Sequence, residues 1–111
     1  MPSKFEDHQF TSVVALSATD SDVSLKAAVS GWSIHITDIS ITMGATAGQV
    51  TLQDSDNTTV FGPIRMAADT NFAVKLHTPI KVAQGLALEF DKEAGADEGS
   101  VFVAGYLDKE V

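Results

Sequence analysis

Through most of its length this chain alternates apolar and polar residues with a period of two. That is the spacing of side chains along one face of a β-strand, so a strand with one buried side is what each such run can become. Trp32, Ile34 and Ile36 alternate with Ser33 and His35, and Val50 and Leu52 repeat the pattern. Phe72, Val74 and Leu76 make another run, and Leu86, Leu88 and Phe90 another. A last strand is expected around Val101 to Tyr106, with weaker candidates at residues 11–16 and 23–28. Ile39, Ile41 and Met43 continue from Ile36 with the opposite parity. One extra residue at Thr37–Asp38 would return them to the same face, which predicts a β-bulge or a sharp bend there.

Turn-forming residues separate the runs: Gly44 to Gly48, Asp54-Ser55-Asp56-Asn57, Gly62-Pro63, Asp69 to Asn71, Gly85, and Gly95 to Gly99. Asp and Asn fold back onto their own backbone and Gly accepts positive φ, so each cluster has a physical reason to turn. Short strands at this spacing predict an all-β fold, an antiparallel β-sandwich or jelly roll. Residues 64–70 hold some helix formers, but the stretch is short and follows Pro63, so it reads as strand and turn. No repeat or low-complexity linker divides the chain. The expected organisation is an N-terminal arm over residues 1–10 and a single β-sandwich domain over residues 11–111. Phe5 and Phe10 stand in the otherwise polar arm and are candidates for contacts with a neighbouring subunit or a capsid.

The 111 residues include no cysteine, so neither a disulfide framework nor a thiolate metal site is available and the core must hold by packing. Fifteen acidic residues against 7 basic ones give a formal charge of −8. That charge repels phosphate backbones and anionic membranes, so neither nucleic acid nor membrane is an expected partner. The opening MPSKFEDHQF has no apolar run of signal-peptide type, and no uninterrupted apolar stretch is long enough to cross a bilayer. Export is therefore expected to occur by lysis or within an assembled particle.

Residues that could carry chemistry are few. Glu89 and Asp91 lie two apart on one face of a strand, about 7 Å from each other. Glycoside hydrolysis needs two carboxyls flanking a bond from opposite sides, and neighbours on one open face do not do this. Asp54-Ser55-Asp56-Asn57 begins like a calcium loop, yet Thr59 and Arg65 stand where an EF-hand needs Gly and Glu. A hairpin turn accounts for the cluster. The acidic stretch Asp91, Glu93, Asp97 and Glu98 reads as a loop between Gly95 and Gly99 with weak potential for a divalent cation. His8, His35 and His77 are too scattered for ligand spacing, and the latter two fall on outward positions where a solvated imidazole is expected. Trp32 shares a face with Ile34 and Ile36 and is expected in the core. No nucleophile elbow, phosphate loop or dinucleotide fingerprint occurs. No catalytic residue, cofactor site or metal site is predicted.

One ordered set of segments does resemble a known group. Ile36-Thr37-Asp38-Ile39-Ser40-Ile41 leads into Ala47-Gly48-Gln49-Val50-Thr51-Leu52-Gln53-Asp54 and Val60-Phe61-Gly62-Pro63-Ile64. Thr78-Pro79-Ile80-Lys81-Val82, Gly85-Leu86-Ala87-Leu88 and Val103-Ala104-Gly105-Tyr106 follow. Across residues 32–107 the order resembles small β-sandwich or jelly-roll structural proteins of tailed bacteriophages. The resemblance implies a virion protein made in the host cytoplasm, a non-enzymatic capsid decoration (cement) protein. It implies a homotrimer on the outer head surface that binds the major capsid protein and holds neighbouring capsomers together. The alternative is a carbohydrate-binding module of a phage adhesion apparatus, which would need exposed aromatics such as Trp32 or Tyr106 to stack on sugars.

Overall fold

An alternating strand buries its apolar side only against a second layer. The computed structural model describes residues 9–16, 23–92 and 98–109, and they form two such layers. The strands are β1 (Gln9–Ala15), β2 (Val23–Lys26), β3 (Trp32–Met43), β4 (Gly48–Asp54), β5 (Thr59–Met66), β6 (Asn71–Val82), β7 (Leu88–Lys92) and β8 (Gly99–Lys109). Sheet A runs β1-β8-β3-β6 and sheet B runs β2-β7-β4-β5. Every neighbouring pair is antiparallel. The chain changes sheet at each connection except the β4–β5 hairpin. Of the two expected architectures this is the jelly roll, a double-sheet sandwich of eight strands.

The inner faces hold the residues that the alternation marked. Ile34, Ile36, Ile39, Ile41 and Met43 of β3 are at most 2% exposed, as are Val101 and Val103 of β8. Sheet B contributes Val50, Leu52, Leu88 and Phe90, all at 0%. Each such side chain stabilises the fold by roughly 1.5–3 kcal/mol relative to exposure, which is how a chain without cross-links holds together.

The break in parity within β3 is a bulge. Opposite β8, Ile36 pairs with Gly105 and Asp38 with Ala104, leaving Thr37 as the extra residue. The Thr37 hydroxyl donates to the Ala104 carbonyl at 3.2 Å. Opposite β6 the distortion is larger, because Ile36 pairs with Ile80 and Asp38 with Lys75, so residues 76–79 stand against Thr37 alone. Gly105 sits at this crossing, and a Cβ there would collide with the carbonyl oxygen of His35.

Several boundaries differ from the sequence expectation. Gly62-Pro63 does not separate strands; it lies inside β5, where the β4 pairing skips from Val50↔Ile64 to Leu52↔Phe61. β6 likewise runs through Pro79 to Val82. Both are outermost strands, so an unpaired proline nitrogen faces no ladder neighbour. Residues 9 and 10 of the expected arm belong to β1, and residues 1–8 lie outside the described residues. Trp32 opens β3 half-buried opposite Lys109 and lies outside the core cluster. Residues 64–70 are strand end and turn, as expected.

The Asp54 cluster is the β4–β5 turn. The buried Asp54 carboxylate accepts from the backbone N–H of Asp56 at 2.9 Å and of Thr58 at 3.0 Å. Asn57 takes a positive φ of 65°, which Asn tolerates, and its side chain accepts from Gln53 at 3.2 Å. The Ser55 hydroxyl accepts from the Ala87 N–H at 3.1 Å and ties this turn to the β6–β7 connection.

The structure sets the expected cost of four substitutions. Gly105→Ala should cost about 3 kcal/mol in urea unfolding, since the clash is with backbone in the middle of a sheet. Gly85→Ala, at a φ of 81° with open space around it, should cost only about 1 kcal/mol. Asp54→Ala should cost roughly 2 kcal/mol by stranding the turn amides, and Asp54→Asn less, because it keeps one acceptor oxygen.

Candidate functional site

The two outer faces of the sandwich differ in chemistry. On sheet A, Val13, Phe102, Ser40 and Ala73 form one row across the four strands. The next row is Thr11, Ala104, Asp38 and Lys75, and the third holds Gln9, Tyr106, His35 and Lys81. Val13 is 65% exposed, and among the described residues it is the large hydrophobic that most faces solvent. The row of Val13, Phe102, Ser40 and Ala73 is therefore uncharged and largely apolar, and the next row adds one carboxylate and one ammonium, Asp38 and Lys75, so the centre of the face is neutral. An open depression of about 280 Å³ lies between Asp38, Ser40, Ala73, Lys75 and Phe102, beside the bulge. One carboxylate oxygen of Asp38 is buried there without a hydrogen-bond partner.

Sheet B turns a polar face outward. Ser24, Glu89, Gln53 and Thr59 form one row, Asp91 stands beside Thr51, and Arg65 donates to Gln49 at 3.4 Å. Glu89 and Asp91 point away from the buried Leu88 and Phe90, as their spacing predicted. They are half-buried among neighbouring polar side chains on this open face.

The residues singled out from sequence are not brought together. Phe5 and His8 lie outside the described residues, as do Glu93 and Asp97. Phe10 is the second residue of β1; it packs against the core and carries the Lys26 ammonium 5.6 Å above its ring. That contact lies within its own chain, and the Phe10 ring remains partly exposed. Glu98 accepts from the Ala45 N–H at 3.1 Å, and its carbonyl accepts from the Gly44 N–H at 3.0 Å. His77 is exposed. Among the described residues no three acidic or histidine side chains converge on a point that could hold a metal ion.

His35 departs from the expected solvated imidazole. Its side chain is only 16% exposed and its ring stacks on Tyr106 at 4.9 Å with an interplanar angle of 6°. Ser33 Oγ lies 3.0 Å from His35 Nε2, and an Asp108 carboxylate oxygen lies 4.0 Å from the same nitrogen. A Ser-His-Asp triad needs its serine and its carboxylate on opposite ring nitrogens. Here both address one nitrogen, and Ser33, at 1% exposure, is closed to substrate. The cluster locks β3 to β8, with the Ser33 hydroxyl also donating to the Asp108 carbonyl at 3.3 Å.

Sequence reasoning did not find the neutral face of sheet A, although a signal was present. Val13-Val14 and Val101-Phe102-Val103 are unbroken apolar runs in strands that bury one side only, so one member of each must face out. That these members share a row depends on strand order, which periodicity does not give.

No protein-family model matches the chain, and no curated protein matches it. Among solved structures it is similar to the virus-like particle of the extra small virus of the giant freshwater prawn, Macrobrachium rosenbergii. The TM-score is 0.42 at 12% identity, over 93% of this chain and 80% of that one.

Proposed function

We propose that this chain is a non-enzymatic virion structural protein, a capsid decoration (cement) protein that lies on the outer surface of a phage head, bound to the major capsid protein. The observation that carries the reading is the unlike chemistry of the two outer faces. A small protein lying on a large shell needs one face that tolerates loss of water and another that stays solvated and repels further layers. Sheet A offers the first with Val13, Phe102, Ala73 and Ala104, and sheet B offers the second with Glu89 and Asp91.

Two further points support it. Three of the polar side chains able to do chemistry serve the chain's own backbone: Asp54 its turn, Thr37 its bulge, Ser33 the β3–β8 seam. The segments that resemble phage structural proteins lie for the most part in β3, β4, β5, β6 and β8, in the frame itself. The fold alone would be no warrant, since jelly rolls serve as lectins as well as capsid proteins.

The test is co-sedimentation of purified protein with undecorated phage heads. Wild-type protein should bind, and Ala73→Lys, opposite Ser40, should weaken binding by roughly tenfold or more by burying an unpaired charge. Glu89→Lys on sheet B should leave binding close to wild type. Failure of the wild type to bind heads defeats the proposal, and binding on a glycan array would favour a carbohydrate-binding module in its place.

A further inference from the structure

A sheet ends in strands whose outer N–H and C=O groups have no ladder partner, and proteins obstruct such edges with charge, proline, bulges or brevity. Three of the four edges here are obstructed. β2 has four residues and a register shift between Ser24 and Lys26. β5 carries Gly62-Pro63, Arg65 and two register shifts. β6 carries Lys75, Lys81, Pro79 and the four-residue excursion opposite Thr37.

Among the described residues β1 has none of these devices. Its residues pair with β8 in unbroken register from Gln9↔Tyr106 to Ala15↔Ser100. The sequence Gln-Phe-Thr-Ser-Val-Val-Ala has no charge, proline or glycine, and its middle is aromatic and β-branched, the residue types that favour extended pairing. The exposed Val13 stands on this strand, at the rim of the neutral face.

We infer that the free edge of β1 is a homodimer interface, in which β1 of a second copy pairs antiparallel with it and joins the two sheets A into one. The occupant is a second copy for two reasons. A chain of net charge −8 repels its own copies over most of its surface, and β1 is an edge where two copies meet without opposing charges. The contact is also self-complementary: a two-fold axis at Ser12 sets Phe10 opposite Val14 of the second copy and Val13 opposite its Thr11, using the whole strand. A threefold ring cannot close through β1 alone, because a cyclic contact needs a second, different free edge. Strand pairing thus gives a dimer where the resemblance to phage proteins implies a trimer. An axis perpendicular to the sheet leaves both neutral faces on the same side.

The experiment uses the full chain without heads, so its outcome is independent of capsid binding. Sedimentation velocity over roughly a hundredfold range of concentration should show a reversible dimer. Val13→Lys should weaken it by roughly tenfold or more, and Thr59→Lys, which places the same charge on the obstructed β5 edge, should leave it intact. Both positions are exposed, so the two variants should match the wild type in circular dichroism and melting. Hydrogen exchange of the wild type gives a second reading that needs no variant: β1 amides pointing away from β8 should exchange more slowly as concentration rises. A persistent monomer, a trimer, or a dimer indifferent to Val13→Lys overturns the inference. Protection of those amides only after undecorated heads are added also overturns it, and assigns the edge to a capsid subunit.

Discussion

A strand has two sides, and β3 must keep one of them dry for twelve residues in the interior of sheet A. The rest of the molecule accommodates that demand. A regular strand carrying Ile34, Ile36, Ile39, Ile41 and Met43 would turn two or three of them to solvent, at roughly 1.5–3 kcal/mol each. One bulged residue at Thr37 keeps all five inside. Its neighbours adjust: position 105 has no room for a side chain, and residues 76–79 of β6 swing past a single residue of β3. The depression beside Asp38 and Lys75 lies where the pleat has been disturbed, so a constraint set by the core also shapes the outer surface.

Polar side chains at this surface mostly work inward. Asp54, Ser33 and Thr37 donate to or accept from backbone groups that the turn, the seam and the bulge leave unsatisfied. His35 gains a stacking partner instead of water. Among the described residues, the unlike polarity of the faces and the unobstructed edge of β1 are the broadest features the surface offers a partner. Both are features of area and shape, suited to holding surfaces together.

The core was legible in the sequence because burial on one side imposes a period of two, and Ile34, Val50, Leu52, Leu88, Phe90, Val101 and Val103 are all buried as that period requires. The bulge was legible for the same reason, as a change of parity. Gly62-Pro63 misled because proline argues against a strand only where both edges are paired, and edge status belongs to the sheet. Trp32 shared the right parity but sits where β3 begins, away from the packed core. The His35 cluster joins residues 75 apart, and only the β3–β8 register brings Asp108 and Tyr106 to it. The neutral face escaped for the same reason, since each row takes one residue from each of four strands.

β8 is the last of the described strands along the chain, yet it lies between β1 and β3 and holds them in one sheet. During synthesis, then, β1 waits without a ladder partner until residues 99–109 have emerged and inserted beside it, joining Gln9 to Tyr106. Such long-range pairing is slow, and an unobstructed, uncharged strand is poorly protected during the wait. The order of synthesis therefore makes β1 the segment most exposed to misassociation on a crowded ribosome, and gives the surplus of acidic residues elsewhere a second use in keeping nascent copies apart.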